Sequence, residues 1–273
     1  MKKVAIQGIK GSYHHKVAVN YFGNNIETLD CLSFDDLVSS IVKNKCDVGV
    51  LAIENSIVGS IIPNYSLIDN CELTVIGEYY INIDHQLLAL QGKNIDDIEI
   101  ISSHPMALLQ CKDFLKQYPS ITIIEAKDTA QVASEIQKGK IENMAAIASF
   151  EASKLYCLKV LKKNIQTIKN NETRFVIISK NFDDNNIEFD KASLKFVLSH
   201  KTGSLAKILN ILSDYELNLT KIQSLPVAEI TWKYSFFVDT TFQNIDNLKQ
   251  ALIKVEEHSE SLKVLGIYKK RTL

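Results

Sequence analysis

The chain has 273 residues, a formal net charge of -1, and 46% apolar against 23% charged residues. This composition is typical of a globular protein. The near-zero net charge gives no electrostatic reason to expect a nucleic-acid partner or an anionic membrane partner. No apolar run approaches the roughly 20 residues that a membrane-spanning helix needs. The length accommodates one large domain or two to three small ones.

The N-terminus and the cysteines favour a reducing, cytoplasmic location. Two lysines follow Met1, but the sequence turns polar again at Gln7, too soon for a signal peptide. The cysteines are odd in number, widely spaced and without a C-x-x-C pair, so neither a disulfide framework nor a zinc site is expected. They are Cys31, Cys46, Cys71, Cys111 and Cys157.

The first 180 residues alternate short β-rich runs with helical patterns, which predicts parallel strands in βαβ units. Two similar βαβαβ blocks occupy about 3–70 and 95–160. Helices are predicted from the cap Ser33 to Lys43, from Pro105 to Tyr118, and from Asp128 to Lys138. The predicted strands are Lys3–Gln7, Ile26–Asp30, Asp47–Ile53, Leu73–Ile81, Ile98–Ser102, Ile121–Glu125, Met144–Ala148 and Thr173–Ser179.

These patterns predict a two-lobed α/β domain over residues 1–180, one lobe formed by about 1–75 with 160–180 and the other by 76–160. Ligands of such sheets bind in the cleft beyond the carboxyl ends of the strands. Residues 181–191 are predicted to be a linker because turn-forming residues cluster there. These turn formers are Asn181, Asp183, Asp184, Asn185 and Asn186.

Residues 192–273 have the order βαββαβ, which predicts an α+β ferredoxin-like domain. The predicted strands are Ser193–Ser199, Leu217–Ser224, Trp232–Asp239 and Leu262–Tyr268, and the predicted helices are Gly203–Tyr215 and Ile245–Val255.

Arginine is almost absent: of the 31 basic residues only Arg174 and Arg271 are arginines. Arg271 lies near the C-terminus, whereas Arg174 precedes an apolar run. An arginine kept at one interior position suggests that its planar, bidentate fork is needed there to hold a carboxylate. The alternative is a structural salt bridge to an acidic side chain.

Two polar segments follow predicted strands of the first lobe. In the segment from Gly8 to Tyr13, glycines would let backbone amides approach an anion near a helix start, although a plain tight turn is the more frequent use of glycine. Glu54, Asn55 and Ser56 follow a buried run and must find partners or face a cavity. A solvated turn with a helix cap is the alternative for them.

Two further segments lie in the second block and after it. Ser103 and His104 precede the helix that Pro105 begins, and Gln110 lies two turns after Ser103 on the same side. We expect His104 to cap or pack, and the pair His14-His15 to lie on the surface, because adjacent helical positions do not converge on one metal. Thr173 places a hydroxyl beside Arg174.

These segments, in this order and with the appended βαββαβ module, resemble prephenate dehydratase over essentially the whole chain. The strongest parts are Glu54-Asn55-Ser56, Ser103-His104-Pro105 through Gln110-Cys111, and Thr173-Arg174-Phe175. The C-terminal part resembles an ACT regulatory domain through Thr202-Gly203-Ser204-Leu205-Ala206, Asn218-Leu219-Thr220-Lys221-Ile222 and Trp232 through Asp239. The resemblance implies a periplasmic-binding-protein-like catalytic domain.

The resemblance also implies an activity, the conversion of prephenate to phenylpyruvate with loss of water and carbon dioxide, and no cofactor or metal. Thr173 would be the catalytic residue that donates to the leaving oxygen, and Arg174 would hold a substrate carboxylate. The neutral residues that would orient the dianion are Asn55, Ser56, Ser103 and Gln110. Glu54, Ser12 and Phe175 complete the predicted substrate site; a negative Glu54 beside a dianion is unfavourable unless it is protonated or turned away.

Departures from the family pattern concern control more than catalysis. The residue after Ser-His-Pro is Met106 instead of glutamine, and Gln223 and Leu225 replace the charged pair of the expected Glu-Ser-Arg-Pro. We therefore expect phenylalanine to bind but to inhibit less strongly than in a relative with the full motif. The effector-binding residues implied are Gly203, Ser204, Leu205, Ala206, Asn218, Gln223, Ser224, Leu225 and Pro226.

Pairing of ACT modules between chains would give a homodimer or homotetramer. Two alternatives stay open, an arogenate dehydratase and a non-catalytic amino-acid sensor.

Overall fold

The computed structural model describes residues 1–181, 188–227 and 233–271. The predicted linker residues Asp183, Asp184, Asn185 and Asn186, and the predicted strand start Trp232, lie outside the described residues. In the first part of the chain the strands are β1 (Lys2–Gln7), β2 (Ile26–Cys31), β3 (Val48–Asn55), β4 (Gly59–Ser60), β5 (Thr74–Asn82), β6 (Gln86–Ala89), β7 (Ile100–Ser103), β8 (Thr122–Glu125), β9 (Met144–Ala148), β10 (Lys159–Lys162) and β11 (Glu172–Ser179). The helices there are α1 (Tyr13–Phe22), α2 (Phe34–Val42), α3 (Ile62–Asn70), α4 (Pro105–Gln110), α5 (Lys112–Leu115), α6 (Thr129–Gly139) and α7 (Phe150–Leu155).

The first sheet has the order β2-β1-β3-β11-β5, with β4 paired to β3. β1 runs parallel to β2 and to β3, as the βαβ pattern predicts. Six of the eight residues of β3 are buried without interruption from Val48 to Ile53, which is typical of a strand covered on both faces. Asn55, the last residue of β3, is therefore held at a fixed position at the carboxyl edge.

The second sheet has the order β10-β6-β9-β7-β8 and is mixed. β7 runs parallel to β8 and β9, whereas β6 pairs antiparallel with β9 and with β10. The prediction of parallel strands is therefore wrong for β6 and β10. Leu87 and Leu88 of β6 pack into different apolar clusters on the two faces of this sheet.

The predicted helix starts at Ser33, Pro105 and Asp128 are confirmed, but the helix that Pro105 begins is interrupted. Ser33 and Asp128 accept hydrogen bonds from the third residue beyond them, as N-caps do. The helix predicted from Pro105 to Tyr118 is instead split into α4 and α5. The carbonyl of Gln110 accepts from the backbone N–H of Thr167 at 2.8 Å. This acceptor is therefore engaged outside the helix.

The C-terminal part has the predicted order βαββαβ. Its elements are β12 (Lys191–Val197), α8 (Ser204–Asp214), β13 (Asn218–Pro226), β14 (Tyr234–Thr241), α9 (Ile245–Glu257) and β15 (Ser261–Tyr268). The sheet order β13-β14-β12-β15 is antiparallel and ferredoxin-like. Its apolar core joins the sheet to both helices through Leu194, Phe196, Ile208, Leu212, Val238, Leu248 and Val255.

The chain divides into two compact units, Met1–Gly59 with Tyr80–Phe175, and Ser60–Tyr79 with Val176–Leu273. Within the second unit, the buried amine of Lys191 lies 2.8 Å from a carboxylate oxygen of Glu78. The predicted limits of the domains, the lobes and the linker stay predictions.

No helix in the described ranges is both long and apolar enough to cross a membrane.

Candidate active site

The orientation of the Asn55 side chain is fixed by the turn that follows β3. Its Oδ1 accepts from the backbone N–H groups of Ile57 and Val58, both at 3.0 Å. A flipped amide would place two N–H groups against these donors. Nδ2 of Asn55 is therefore the hydrogen-bond donor on the other side.

The Asn55 amide brings the two predicted motifs together. Its Nδ2 lies 2.9 Å from Oγ1 of Thr173, 2.7 Å from Oδ1 of Asn171 and 3.1 Å from the carbonyl of Glu172. Ser56 joins the same strands, since its N–H donates to the Glu172 carbonyl at 2.8 Å and its Oγ accepts from the Glu172 N–H at 2.9 Å. Asn55 and Thr173 are both only 7% exposed, so the pair is nearly shielded from water.

A chain of polar side chains continues from Asn171 to residues that the sequence did not single out. Asn171 Nδ2 donates to Oε1 of Gln110 at 3.1 Å, and the same oxygen lies 2.9 Å from Nε2 of His85. Nδ1 of His85 lies 3.1 Å from the hydroxyl of Tyr13. Asn171 stands two residues before Thr173, and this closeness could have marked it as a site residue from the sequence. His85 and Tyr13 are single residues, and no sequence pattern marks them.

The residues after Thr173 are also buried. Arg174 is 5% exposed and Phe175 is 1% exposed. The ring of Phe175 packs edge-on against His14, with the ring centroids 4.9 Å apart. Contact of Arg174 and Phe175 with a substrate stays a prediction, as does the role of the half-buried Glu54.

The expectation that His14 lies on the surface is wrong. His14 is 8% exposed and packs between Phe34 and Phe175. Burial lowers the pKa of its imidazole from about 6.5 to about 3, so the ring is neutral at physiological pH. Nε2 of His14 has no hydrogen-bond partner among the described residues.

Ser103 and His104 perform local structural roles at the end of β7. Ser103 is fully buried, and its Oγ donates to the carbonyl of Ile147 at 2.6 Å instead of to Gln110. Nδ1 of His104 accepts from the N–H of Met106 at 3.2 Å, which caps α4 as expected. A contact of Ser103 with substrate stays a prediction.

The loop between β1 and α1 is a tight turn. Gly8 and Gly11 have φ values of +86° and +93°, which glycine adopts without strain. The N–H groups of Gly8 and Ser12 already donate to the carbonyls of Cys31 and Ile9. Ser12 is 3% exposed and caps α1 by accepting from the N–H of His15 at 3.2 Å.

Side-chain hydroxyls from the second βαβαβ block donate hydrogen bonds to this loop. Ser149 Oγ donates to the Gly11 carbonyl, and Tyr156 OH donates to the Lys10 carbonyl, both at 2.6 Å. A Cβ at Gly8 would lie 2.3 Å from Oδ2 of Asp128. Burial raises the pKa of Asp128 to about 6. The loop therefore contributes packing and turn geometry in this structure.

The ferredoxin-like part contains a separate cavity of about 310 Å³. It is lined by Leu198, Ser199, His200, Lys201, Thr202, Ser204, Tyr234 and Phe236. Of the predicted effector residues, Ser204 lines it directly, while Ser224 and Pro226 pair across the sheet with Phe236 and Tyr234.

The other predicted effector residues differ in exposure. Gly203 adopts φ +83° at the start of α8. Leu205 packs against the core, and Leu225 is 7% exposed. Gln223 Nε2 donates to the Ser224 carbonyl at 3.1 Å, and Ala206 and Asn218 are exposed. No group of three His, Cys, Asp or Glu side chains within the described residues has an arrangement suited to a metal ion.

Comparison with known proteins identifies the family. Residues 4–183 match the family model described as prephenate dehydratase. A Buchnera aphidicola subsp. Acyrthosiphon pisum protein, named bifunctional chorismate mutase/prephenate dehydratase, is 35% identical over 267 residues, which are 96% of this chain and 69% of that protein. The chain therefore belongs to the prephenate dehydratase family, a family of carbon–oxygen lyases.

Other similar proteins carry different names. An Arabidopsis thaliana protein named arogenate dehydratase/prephenate dehydratase 2, chloroplastic, is 34% identical over 278 residues, covering 97% of this chain and 72% of that protein.

Two solved structures show the same fold. A prephenate dehydratase from Arthrobacter aurescens in complex with L-Phe has a TM-score of 0.87 at 22% identity, covering 98% of this chain and 89% of that one. GqqA, described as a novel type of quorum quenching acylase, has a TM-score of 0.88 at 24% identity, covering 99% and 98%. At these identities the likenesses show the fold alone.

Proposed function

We propose that this chain converts prephenate to phenylpyruvate at the cluster formed by Asn55, Thr173 and Gln110. The observation that supports this most directly is the Asn55–Thr173 hydrogen bond of 2.9 Å. Asn55 is the donor, so Thr173 accepts through a lone pair and keeps its own proton free to donate. A leaving hydroxide needs such a donor.

The bond changes balance with one proton, drawn ultimately from solvent, as the only co-reactant. The ring carboxylate leaves as carbon dioxide, and the electron pair of its carbon–carbon bond moves into the ring. The carbon–oxygen bond at the opposite ring carbon breaks, and the departing hydroxide is protonated to water. Aromatisation provides the driving force. Because a threonine hydroxyl is a weak acid, Thr173 contributes positioning and polarisation of the leaving oxygen.

The substrate is a dianion, and the proposed site offers donors to it. Arg174 is assigned to one carboxylate because its fork matches two carboxylate oxygens. Gln110 is assigned as a neutral donor. Its Oε1 already accepts from Asn171 and faces His85. Its N–H₂ group is therefore turned to the opposite side. Ser56, Ser103, Ser12, Phe175 and Glu54 belong to the proposed substrate site by resemblance.

The ferredoxin-like part is proposed to be an ACT domain that binds L-phenylalanine and lowers activity. The cavity beside Ser204 supports this, and the related Arthrobacter aurescens structure is a complex with L-Phe. A ligand regulates only through different affinities for two states. Because Gln223 and Leu225 replace the charged pair of the family motif, inhibition is proposed to be less strong than in a relative with the full motif. Pairing of these parts between chains would give a dimer or a tetramer.

The deciding experiment assays the purified chain with prephenate and, separately, with arogenate. Phenylpyruvate formation from prephenate is the expected result. Turnover of arogenate alone, to phenylalanine, would replace the proposal by the second candidate, which the name of the Arabidopsis thaliana relative favours. Binding of aromatic amino acids without turnover of either compound would instead favour a sensor.

A further inference from the structure

His85 is a buried imidazole whose place in the fold is well fixed. The residue is 2% exposed. It lies between β5 and β6, where its N–H donates to Oε1 of Gln166 at 3.1 Å and its carbonyl accepts from the N–H of Ile165 at 2.9 Å. Its ring stands edge-on to Tyr13, with the centroids 5.7 Å apart. Burial lowers the pKa of His85, which favours the neutral ring.

The position of the proton on this ring follows from a directed chain of hydrogen bonds. The backbone N–H groups of Ile57 and Val58 fix Oδ1 of Asn55. Asn55 Nδ2 then donates to Oδ1 of Asn171, so Asn171 Nδ2 must face Gln110. That places Oε1 of Gln110, which is only an acceptor, 2.9 Å from Nε2 of His85.

His85 Nε2 must therefore carry the proton. Nδ1 is then an acceptor, and it lies 3.1 Å from the hydroxyl of Tyr13. The same hydroxyl donates to the carbonyl of Asp84 at 3.0 Å, so its single proton is shared between these two acceptors. The whole chain is thus consistent with a neutral His85 protonated on Nε2.

The proton on His85 Nε2 helps to fix the orientation of the Gln110 amide. Two donors hold its Oε1, and within the described residues its N–H₂ group donates no hydrogen bond. Without the His85 donor, Asn171 alone would oppose rotation of the amide. A rotated amide would present its carbonyl oxygen to the anionic substrate, which would be repulsive, instead of an N–H donor.

We propose that His85 is a positioning residue that fixes the Gln110 amide so that its N–H₂ group faces an anionic group of the substrate. The proposal rests on the proposed function for the identity of that substrate. His85 itself does not touch the reacting atoms. It acts through Gln110, and the Tyr13 hydroxyl lies beside its Nδ1 at 3.1 Å.

The first test measures the orientation and needs no substrate. Imidazole ¹⁵N NMR of the full chain at neutral pH should show His85 protonated on Nε2, with the signal assigned by its absence in His85→Gln. Protonation on Nδ1 would reverse the hydrogen bond to Gln110 and overturn the proposal.

The second test is a double-mutant cycle on activity with prephenate. His85→Leu should raise KM roughly 10-fold, the scale of a lost hydrogen bond to a charged group, and change kcat much less. His85→Gln, which can keep an N–H donor near the position of Nε2, should recover most of the loss. In a Gln110→Met background, His85→Leu should change KM by less than about 2-fold, because the amide that it positions is gone.

The outcomes separate the proposals. An equal loss in both backgrounds, or a fall in kcat with unchanged KM, would show that His85 acts through folding and would overturn the positioning role. If the parent chain does not turn over prephenate, the proposed function fails, while the NMR measurement still decides how Gln110 is oriented. If His85→Leu does not fold, the NMR result and the comparison of His85→Gln in the two backgrounds decide.

Discussion

The amide nitrogen of Asn55 donates to the hydroxyl oxygen of Thr173 across 2.9 Å. The direction of this bond is not free, because two backbone N–H groups hold the amide oxygen of Asn55. Thr173 therefore has one lone pair occupied and its proton directed elsewhere. The turn that ends β3 thus leaves the Thr173 proton available for the donor role proposed for it.

Removal of the Thr173 hydroxyl should lower turnover with little effect on the fold. We expect Thr173→Ala to reduce kcat roughly 10²-fold, the scale of a lost donor to a leaving group. Thr173→Ser keeps the hydroxyl and is the matched control, expected to retain most of the activity. The measurement is the initial rate of phenylpyruvate formation. Near-parent kcat in a folded alanine variant would remove Thr173 from the mechanism.

Asn55→Asp tests the direction of the hydrogen bond. The aspartate keeps an oxygen for the N–H groups of Ile57 and Val58, so the turn should persist. Its second oxygen replaces the donor, and the Thr173 proton would then be held by the carboxylate. We expect kcat to fall roughly 10²-fold or more, as for loss of a donor aimed at developing charge. Activity within a few-fold of the parent would show that the direction of this bond is unimportant.

Arg174→Lys distinguishes a carboxylate fork from a structural charge. Lysine keeps the positive charge but loses bidentate geometry, so KM should rise roughly 10-fold or more while kcat changes less. Steady-state kinetics with prephenate give both constants. Unchanged KM together with a lowered unfolding midpoint would assign the buried Arg174 to the fold.

Elements with a clear local pattern were predictable, and those defined by distant contacts were not. The continuous apolar run of β3 and the caps Ser33 and Asp128 are local signals, and the structure contains each of them. β6 has four residues, all buried, with neither alternation nor length to mark it. β10 contains two lysines and pairs antiparallel with β6, so nothing local indicates its place.

The same division applies to the site. Asn55 and Thr173 lie in short polar motifs at the ends of strands, so they could be selected from the sequence. His85 and Tyr13 are single residues whose partners are 25 and 72 positions away along the chain. His14 looked like half of a surface pair because its burial depends on Phe175, which only the folded sheet brings to it.

The cavity in the ferredoxin-like part gives a test of regulation that leaves the proposed active site untouched. Ser204→Phe should fill part of the cavity of about 310 Å³ and weaken inhibition by L-phenylalanine at least several-fold, with parent kcat. Asn210→Phe, at an exposed position of the same helix, is the matched control. Inhibition curves with L-phenylalanine for the parent and the two variants show whether this cavity is the effector site. Equal inhibition of all three would place the effector elsewhere.

Burial of His14 should make the protein less stable in acid. Its pKa is about 3 in the folded chain and about 6.5 when unfolded. The unfolded chain therefore binds the proton first, and stability that is complete above pH 6.5 is lost as pH falls toward 3. Between pH 7.5 and 4.5 this single group should cost about 2 to 3 kcal/mol of unfolding free energy.

Urea titrations of the parent and of His14→Leu at both pH values isolate this contribution. His14→Leu should lose less unfolding free energy than the parent between pH 7.5 and pH 4.5, whatever its stability at pH 7.5. Asp128 titrates with the opposite sign, because its raised pKa of about 6 adds stability as pH falls, but it is common to both proteins and cancels. His258→Gln, at an exposed position, should follow the parent. Parallel pH dependence in the parent and His14→Leu would show that His14 does not stay neutral in the folded protein.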